Sequence, residues 1–382
     1  MKINILMLNY EFPPLGGGSA NATYYLLKEF SKDPSLRVDL VTSGSGPKLE
    51  VERFSEGITF FKLPVGKREP HFWTMSEIAR WTWRALRFSR NLTRERDYDL
   101  CHCWSGWPSG IIGLLLRKRI PYIVGLRGSD VPGYNLRLRV LDRIAFRYIS
   151  PFVWNRARGV TAVSDHLREL AEKTSKRCPI QVIYNGVDAK HFQPGTPPAR
   201  FTVLYVGRLI ERKGLIYLLR AFRSLSEELP DCRLLIAGEG PDRQGLMEFC
   251  LRERIESRVS SLGVLDHDEL RAVYQRVSVF VMPALEEAMP NAMLEAMASG
   301  LPLISSNTGA RELLDGNGIV VETGNAAQLK EALSRYATDP FLRKRHGERS
   351  RILAETMAWS GVALAYRDLY EQIVRDRMRR AS

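Results

Sequence analysis

A regular alternation of short apolar runs with helix-length stretches constrains this chain more than any other feature of its sequence. Runs such as "FTVLYVG" and "CRLLIAG" are apolar almost throughout, which is typical of strands buried on both faces of a parallel sheet. The alternation therefore predicts an α/β fold with crossover helices. The predicted strands are 3–8, 37–42, 58–63, 99–103, 121–125, 159–163, 180–184, 202–206, 232–237, 258–262, 277–282, 302–305 and 318–321.

One break interrupts this alternation. The segment "DAKHFQPGTPPAR", residues 188–200, holds three prolines and a glycine, a composition that favours a linker. A chain of 382 residues is also longer than a single core usually supports. We therefore predict two Rossmann-like domains, with ligands at the carboxyl ends of their strands in a cleft between them. The predicted parts are 1–187, the linker 188–200, 201–357 and a C-terminal helix over 358–382, which we expect to cross back to the first domain.

The charge of the chain is concentrated in its first half. Residues 1–190 hold 30 Lys and Arg against 18 Asp and Glu, a net charge of +12, out of +13 for the whole chain. A basic half indicates an anionic partner, such as a phospholipid surface, a lipid-linked phosphate or a polyanion. Nucleic acid is disfavoured as the partner because the sequence has no recognition module.

The cysteines and the apolar runs bear on the compartment. Five cysteines, without framework spacing, fit a reducing environment. The longest uncharged stretch, "CHCWSGWPSGIIGLLL", falls short of the roughly 20 apolar residues of a membrane span. We expect a cytoplasmic protein without a signal peptide, with attachment to the inner face of a membrane left open. Cys101, His102 and Cys103 alternate faces on a strand, which favours strand packing over a metal site.

An aromatic and basic stretch, residues 71–96, is predicted to be an amphipathic helix. It places Arg80, Arg84, Arg87 and Arg94 on one stripe, with Trp83 beside them. One interpretation is a helix packed on the core with solvated arginines, and the other is a surface that docks on anionic lipid. A second basic run adds Arg137, Arg139, Arg143 and Arg147.

The stretch "YVGRLIERKG" lies at the end of a predicted strand. Gly207 permits a tight turn, and Arg208 and Lys213 then stand just before the next helix. Two cations at a strand–helix junction suit a diphosphate, although a solvated surface loop has the same composition. A second stretch, "IAGEGPDR", places Gly238 and Gly240 after another strand, either as ligand contacts or as a tight turn.

The stretch "PALEEAMPNAMLEAMASGLP" holds two carboxylates, Glu287 and Glu295, eight positions apart. A helix is predicted to begin between them, and its first amides favour phosphate. Glu295 is then placed to accept hydrogen bonds from ribose hydroxyls, and Glu287 to accept them from the hydroxyls of a sugar. The alternative interpretation of Glu295 is a capping or surface acid. The helix-start residues that we assign to the same donor site are Met289, Pro290, Asn291 and Ala292.

In this order and spacing, "GRLIERKG", "AGEGP" and "EEAMPNAMLEAMASGLP" resemble family 4 of the retaining glycosyltransferases, which have the GT-B fold. Upstream, "NYEFPPLGGGSA", "LRGSD", "TAVSDHL" and "VIYNGVD" are similar to the same family. The resemblance implies that Glu287 contacts the donor sugar and Glu295 the ribose. It further implies that four glycines border the donor and that two cations neutralise its diphosphate: Gly17, Gly18, Gly238, Gly240, Arg208 and Lys213.

The sequence departs from the family pattern on the acceptor side. His102 is kept, but Trp104 stands where many members have a second histidine, and Arg127 replaces another histidine. Asp130 is retained as a candidate acceptor contact, and Ala288 replaces a usual glycine. We count Glu287, Arg208, Lys213 and His102 as catalytic candidates, and Trp104, Arg127 and Asp130 as acceptor-side candidates.

The resemblance implies an enzyme that moves a hexose or N-acetylhexosamine from a UDP-, GDP- or ADP-sugar to a glycan or lipid-linked acceptor. Retention at the anomeric carbon and catalysis without metal or other cofactor are expected, with a role in cell-surface polysaccharide synthesis. The alternatives are another GT-B enzyme, either a nucleotide-sugar epimerase or a phosphorylase, and a nucleotide-sugar-binding protein with weak activity.

Overall fold

The computed structural model describes residues 1–70, 72–135, 140, 142–308 and 311–381. The chain divides into two units, each with its own parallel sheet. Unit 1 comprises Met1–Asn185 together with Trp359–Ser382, and unit 2 comprises Gly186–Ala358.

Unit 1 is built on an eight-stranded sheet in the order β3-β4-β2-β1-β5-β6-β7-β8. All neighbouring strands are parallel except β3 and β4, which are antiparallel. The strands are β1 (Ile3–Leu8), β2 (Leu36–Gly44), β3 (Glu50–Arg53), β4 (Ile58–Pro64), β5 (Leu100–Cys103), β6 (Tyr122–Leu126), β7 (Gly159–Ala162) and β8 (Ile180–Val182). The helices between them are α1 (Gly18–Phe30), α2 (Met75–Glu95), α3 (Ser109–Leu116), α4 (Arg147–Trp154) and α5 (Asp165–Thr174).

Unit 2 is built on a six-stranded, wholly parallel sheet in the order β11-β10-β9-β12-β13-β14. Its strands are β9 (Thr202–Val206), β10 (Arg233–Ala237), β11 (Val259–Gly263), β12 (Val279–Met282), β13 (Leu303–Ser306) and β14 (Gly318–Val321). Its helices are α6 (Leu215–Glu228), α7 (Arg243–Arg252), α8 (His267–Tyr274), α9 (Asn291–Ala298), α10 (Ala326–Thr338) and α11 (Pro340–Thr356).

The last helix, α12 (Trp359–Ala381), returns to unit 1, as predicted. It packs against α1, and five of its side chains are buried in the unit 1 core: Trp359, Tyr366, Tyr370, Ile373 and Val374. Burial of these large side chains is the main force that holds the helix there, because each removes a large apolar area from water.

Two sequence expectations differ from the structure. Strand β3 was not predicted, because all four of its residues are exposed and the run "EVER" has no apolar face. The predicted linker 188–200 lies within unit 2 instead of between units. Phe192 in this segment is buried, and Arg351 Nη1 donates to the carbonyl oxygens of Ala189 and Phe192 at 2.9 and 2.8 Å. The chain passes from unit 1 to unit 2 after Asn185 and returns after Ala358.

Candidate active site

In unit 2, the polar residues picked out in the sequence lie on two loops at the middle of the sheet. Strands β9 and β12 are neighbours there, and the strand order reverses between them. Such a reversal leaves a crevice at the carboxyl ends of the two strands, which is where doubly wound sheets bind ligands. The loop after β9 carries Arg208 and Lys213, and the loop after β12 carries Glu287. The topology therefore brings together residues that are 74 positions apart in sequence.

Lys213 and Glu287 form an ion pair between the two loops. The two side chains are only 12% and 11% exposed. Burial by itself raises the pKa of a carboxyl, but Lys213, the charge of Arg212 and the backbone N–H of Ala288 together hold the pKa of Glu287 below its ordinary value. Burial lowers the pKa of Lys213, and Glu287 opposes that shift. The site therefore carries a buried cation that is ion-paired with a buried carboxylate.

Arg208 completes the cationic part of the site and differs from Lys213 in its surroundings. It is exposed, and it has no ion pair within the part of the chain that the structure describes. Its backbone is fixed because the hydroxyl of Tyr205 donates to its carbonyl oxygen at 3.0 Å. An anchored backbone with a free guanidinium suits a group that receives an anionic ligand.

The predicted helix begins at Asn291, between Glu287 and Glu295, and Pro290 is its N-cap. Proline has no capping oxygen, and no side chain caps this helix end. Met289 is buried just before it, and Ala292 lies in the first turn. A helix start without a side-chain cap carries a positive field that favours an anion.

Glu295 lies one turn inside α9, on the half-buried side of the helix. The hydroxyl of Tyr274 is 3.0 Å from Oε2 of Glu295 and also 3.0 Å from the carbonyl oxygen of Ala292. Burial raises the pKa of Glu295 to about 7, against the opposing effect of the Tyr274 hydrogen bond. Glu295 is therefore held in place by Tyr274 instead of being a capping or solvated acid.

The glycines of "IAGEGP" pack one loop directly on another. Leu209 N donates to the Glu239 carbonyl at 2.9 Å, and Asp242 N donates to the Leu209 carbonyl at 3.1 Å. A Cβ atom on Gly238 would lie 2.0 Å from the Gly207 carbonyl oxygen, and one on Gly240 would lie 2.2 Å from that of Leu209. Close backbone packing thus explains both glycines, while their contact with a donor stays a prediction.

Replacing Gly240 by alanine is expected to destabilise unit 2, because the new Cβ would collide with backbone that cannot rotate away. We expect a loss of about 2 kcal/mol, or roughly 4–8 °C in Tm, measured by thermal unfolding. Gly245→Ala in α7 is the matched control, because nothing lies within 4 Å of a Cβ there. Equal melting temperatures for the two variants would contradict this account.

In unit 1 the glycine-rich loop lies after β1, next to the strand-order reversal between β1 and β5. Gly17 is the N-cap of α1 and Gly18 its first residue, and no side chain caps that end. Nothing lies within 4 Å of a Cβ on Gly17, whereas Gly16 has a φ of +104° and a Cβ there would lie 2.7 Å from that of Glu11. The sequence reading did not single out Gly16, although it alone of the three glycines has a left-handed φ.

His102 is placed in the interior of unit 1, not at its surface. It is fully buried, and its Nδ1 lies 2.6 Å from the hydroxyl of Tyr370 on α12. Burial, together with the charge of Arg127, lowers the pKa of His102 to about 3, so the ring is neutral. Its other ring nitrogen, Nε2, is buried without a hydrogen-bond partner in the described residues. A catalytic role for His102 stays a prediction, and its burial argues against direct contact with a substrate.

The acceptor-side candidates form a connected group around the end of β6. The guanidinium of Arg127 lies 4.4 Å above the ring of Trp104, and its Nη2 donates to Asn185 Oδ1 at 2.7 Å. Asp130 accepts backbone N–H groups from Gly106 and Gly128, each at 2.7 Å, and from Arg127 at 3.0 Å. Asp130 therefore braces the loop that carries Arg127.

Several residues that shape the site gave no sequence signal. Tyr274 and Tyr205 fix Glu295 and the Arg208 backbone, yet each reads as an ordinary core aromatic. Gly214 has a φ of +66°, and a Cβ there would lie 2.0 Å from the Pro283 carbonyl oxygen, so it lets the two loops meet. Its place after Lys213, just before a helix, was the only local hint.

No group of three or more His, Cys, Asp or Glu side chains in the described residues is arranged to hold a metal ion. Cys101 and Cys103 are buried, with their sulfur atoms 3.8 Å apart, and His102 points elsewhere. Among the same residues, no helix has the length and apolar character needed to cross a bilayer.

Two doubly wound sheets, each with a strand-order reversal, are the framework of the GT-B fold, and solved structures of that fold align with the chain over nearly its whole length. The sequence signature "Glycosyltransferase Family 4" matches residues 16–191, and "Glycosyl transferases group 1" matches residues 200–339. The two signatures together span most of the chain, which belongs to glycosyltransferase family 4 and is a glycosyltransferase.

Individual relatives agree with this assignment. An uncharacterized glycosyltransferase of Methanocaldococcus jannaschii is 26% identical over 294 residues, covering 76% of this chain and 80% of the relative. The sucrose-phosphate synthase structure from Thermosynechococcus elongatus aligns with a TM-score of 0.86 at 21% identity, over 98% of this chain and 100% of that one. Anabaena HepE, solved with UDP and glucose, aligns with a TM-score of 0.75 at 17% identity, over 97% and 99% of the chains.

Proposed function

We propose that this enzyme transfers a hexose or N-acetylhexosamine from a nucleoside-diphosphate sugar to a glycan or lipid-linked acceptor, with retention at the anomeric carbon. The observation that carries the proposal is the meeting of Lys213, Glu287 and Arg208 at the strand-order reversal of unit 2. The complex of HepE with UDP and glucose supports a nucleotide-sugar donor for a chain of this fold.

The chemistry follows from the charges of these groups. When the sugar leaves, negative charge develops on the β-phosphate of the nucleotide. Arg208, Lys213 and the uncapped start of α9 are cationic or carry a positive field, so they stabilise that charge more in the transition state than in the ground state. These groups do the work for which other transferases use a metal, and we propose metal-independent transfer on that ground.

Glu287 and Glu295 are proposed to orient the donor. Glu287 faces Lys213 and is proposed to accept hydroxyls of the sugar, and Glu295, fixed by Tyr274, to accept the ribose hydroxyls. No side chain is assigned as general base; the departing phosphate is proposed to take the acceptor proton.

The test is a thermal-shift screen of UDP, GDP, ADP and their sugar conjugates. One nucleotide is expected to raise Tm selectively, and Arg208→Ala and Glu295→Ala are expected to remove that shift, since ligand binding stabilises only the folded state. No shift with any nucleotide would contradict the donor site. Donor conversion without an acceptor would favour an epimerase, phosphate-dependent glycan cleavage a phosphorylase, and binding without turnover a binding protein.

A role in cell-surface polysaccharide synthesis at the inner face of a membrane is part of this proposal. Helix α2 is amphipathic, as predicted. The buried apolar side chains on its inner side are Ile78, Trp81, Ala85 and Leu92. Arg80 and Arg84, however, donate to the backbone carbonyls of Val65 and Pro64. The arginines of α2 best placed for lipid are the exposed ones that follow Trp83 along the helix, namely Arg87, Arg90 and Arg94. Arg137, Arg139 and the side chain of Arg143 lie outside the described residues.

A further inference from the structure

The helical segment 142–154 of unit 1 is held tightly on its inner side. It consists of one π-helical turn, Asp142–Phe146, followed by α4. Val153 and Trp154 are buried, and the hydroxyl of Tyr122 donates to the Val153 carbonyl at 2.5 Å. Asp142 accepts the backbone N–H of Gly133 at 2.8 Å. The segment is therefore a firm part of the unit and not a loose surface turn.

The outer side of the same segment is apolar and is exposed in the part of the chain that the structure describes. Ile144, Tyr148 and Phe152 are spaced four residues apart, so they lie along one face of the helix, and they are 69%, 71% and 49% exposed. Ile149 adds to the same face. Single exposed apolar side chains are common, but a continuous row on one element marks an interaction surface. We call this row the α4 stripe.

The surroundings of the α4 stripe are basic. Residues 140–158 contain four arginines and one acid, Asp142, whose side chain is buried. The guanidinium of Arg156 lies 3.6 Å above the ring of Phe152, and Arg147 and Arg158 are exposed. An apolar row flanked by cations, in a stretch whose one acid is buried, complements an anionic surface.

The neighbouring helices extend this character. Helix α3 contacts both α2 and α4. It carries the exposed Leu115, and the three residues that follow its last turn are Arg117, Lys118 and Arg119. Helix α2 presents the exposed Trp83 among arginines. Three adjacent helices of unit 1 thus combine exposed apolar side chains with positive charge.

We propose that the α4 stripe docks unit 1 on an anionic bilayer. Ile144, Tyr148 and Phe152 enter the boundary between headgroups and acyl chains, and the arginines beside them neutralise lipid phosphates. A second copy of the chain fits less well, because two such faces would bring like charges together. Docking on a bilayer would bring the enzyme to a lipid-linked acceptor, and in this respect alone the proposal rests on the proposed function.

Co-sedimentation with vesicles tests this proposal on the full chain. We expect binding to vesicles rich in phosphatidylglycerol and about tenfold weaker binding to pure phosphatidylcholine. Ile144→Ser with Tyr148→Ser is expected to reduce the bound fraction on anionic vesicles about tenfold, without lowering Tm, because both side chains are exposed. Phe341→Ser is the matched control, because Phe341 belongs to unit 2 and is 85% exposed.

Two results would overturn the proposal. One is unchanged vesicle binding in the Ile144→Ser/Tyr148→Ser variant. The other is a concentration-dependent dimer of the parent chain, seen by sedimentation equilibrium and lost in that variant, which would assign the stripe to a second copy. The donor-induced thermal shift is expected to be the same in the variant and the parent. It therefore separates a failure of membrane docking from a failure of the donor site.

Discussion

Replacing Lys213 by methionine is expected to lower turnover about a hundred- to a thousandfold, the largest loss that we expect from one substitution. In the proposed mechanism the ammonium of Lys213 stabilises the charge that develops on the leaving diphosphate, and removal of one such stabilising group costs this much in enzymes that rely on fixed charges. The measurement is release of the nucleoside diphosphate from the donor identified by thermal shift. Turnover within a few-fold of the parent would contradict the role of Lys213.

The same substitution also affects stability, so the experiment needs a second variant. Methionine would leave the carboxylate of Glu287 buried without its cation, which costs about 3–5 kcal/mol. The double variant Lys213→Met/Glu287→Gln removes both charges and is expected to recover most of the Tm while staying inactive. A double variant that recovered both Tm and turnover would make the pair purely structural.

Arg208→Met provides the matched comparison for a cation without a structural partner. Arg208 is exposed and has no ion pair within the described residues, so its loss should leave Tm unchanged. It is expected to lower turnover in the same direction as Lys213→Met. The pair of variants thus separates the effect of charge at the diphosphate from the effect of an uncompensated buried carboxylate.

Donor affinity is expected to weaken as the pH falls below about 7, because burial raises the pKa of Glu295 to about 7. Ribose hydroxyls donate hydrogen bonds, and the ionised carboxylate accepts them better than the protonated form. At the steepest, donor affinity is expected to fall about tenfold for each pH unit below the pKa of Glu295. The intact sugar nucleotide is the right probe, since its esterified diphosphate does not titrate in this range.

Glu295→Gln is expected to bind the donor weakly and with no such pH dependence. Without ligand, its effect on stability has a definite sign. The pKa of Glu295 in the folded state lies above its ordinary value of 4.5, so its contribution to stability is present below about pH 4.5 and lost as the pH rises through 7. Glu295→Gln should therefore raise Tm near pH 8 and change it little near pH 4. A parent enzyme with pH-independent affinity would refute this role of Glu295.

Tyr274 holds the Glu295 carboxylate in the position that favours donor binding and lowers stability at high pH. That tyrosine is fully buried, and its hydroxyl is the one hydrogen-bond partner of the Glu295 carboxylate within the described residues. The carboxylate is thus fixed in a half-buried place before any donor arrives. A carboxylate that is already fixed in position orients the ligand better, but its burial lowers the stability of the ligand-free protein.

Much of the fold could be predicted from local sequence. The thirteen predicted strands all exist within a few residues of their expected positions, because buried parallel strands are short apolar runs bounded by turn residues. The strand without an apolar face, β3, was missed for the same reason. The segment 188–200 was misread as a linker because its prolines and glycine carry no sign of the Arg351 contacts that hold it in unit 2.

The sequence by itself determined the α/β class, the division into two sheets, the loops that carry Arg208, Lys213 and Glu287, and the helix that carries Glu295, because these are encoded by short periodic patterns. Only the tertiary structure decided which of those residues meet. Lys213 forms an ion pair with Glu287, which is 74 residues away in sequence. His102 contacts Tyr370 on α12, which is 268 residues away. Such pairings depend on strand order and helix packing, which arise from burial summed over a whole unit and leave no mark on any local pattern.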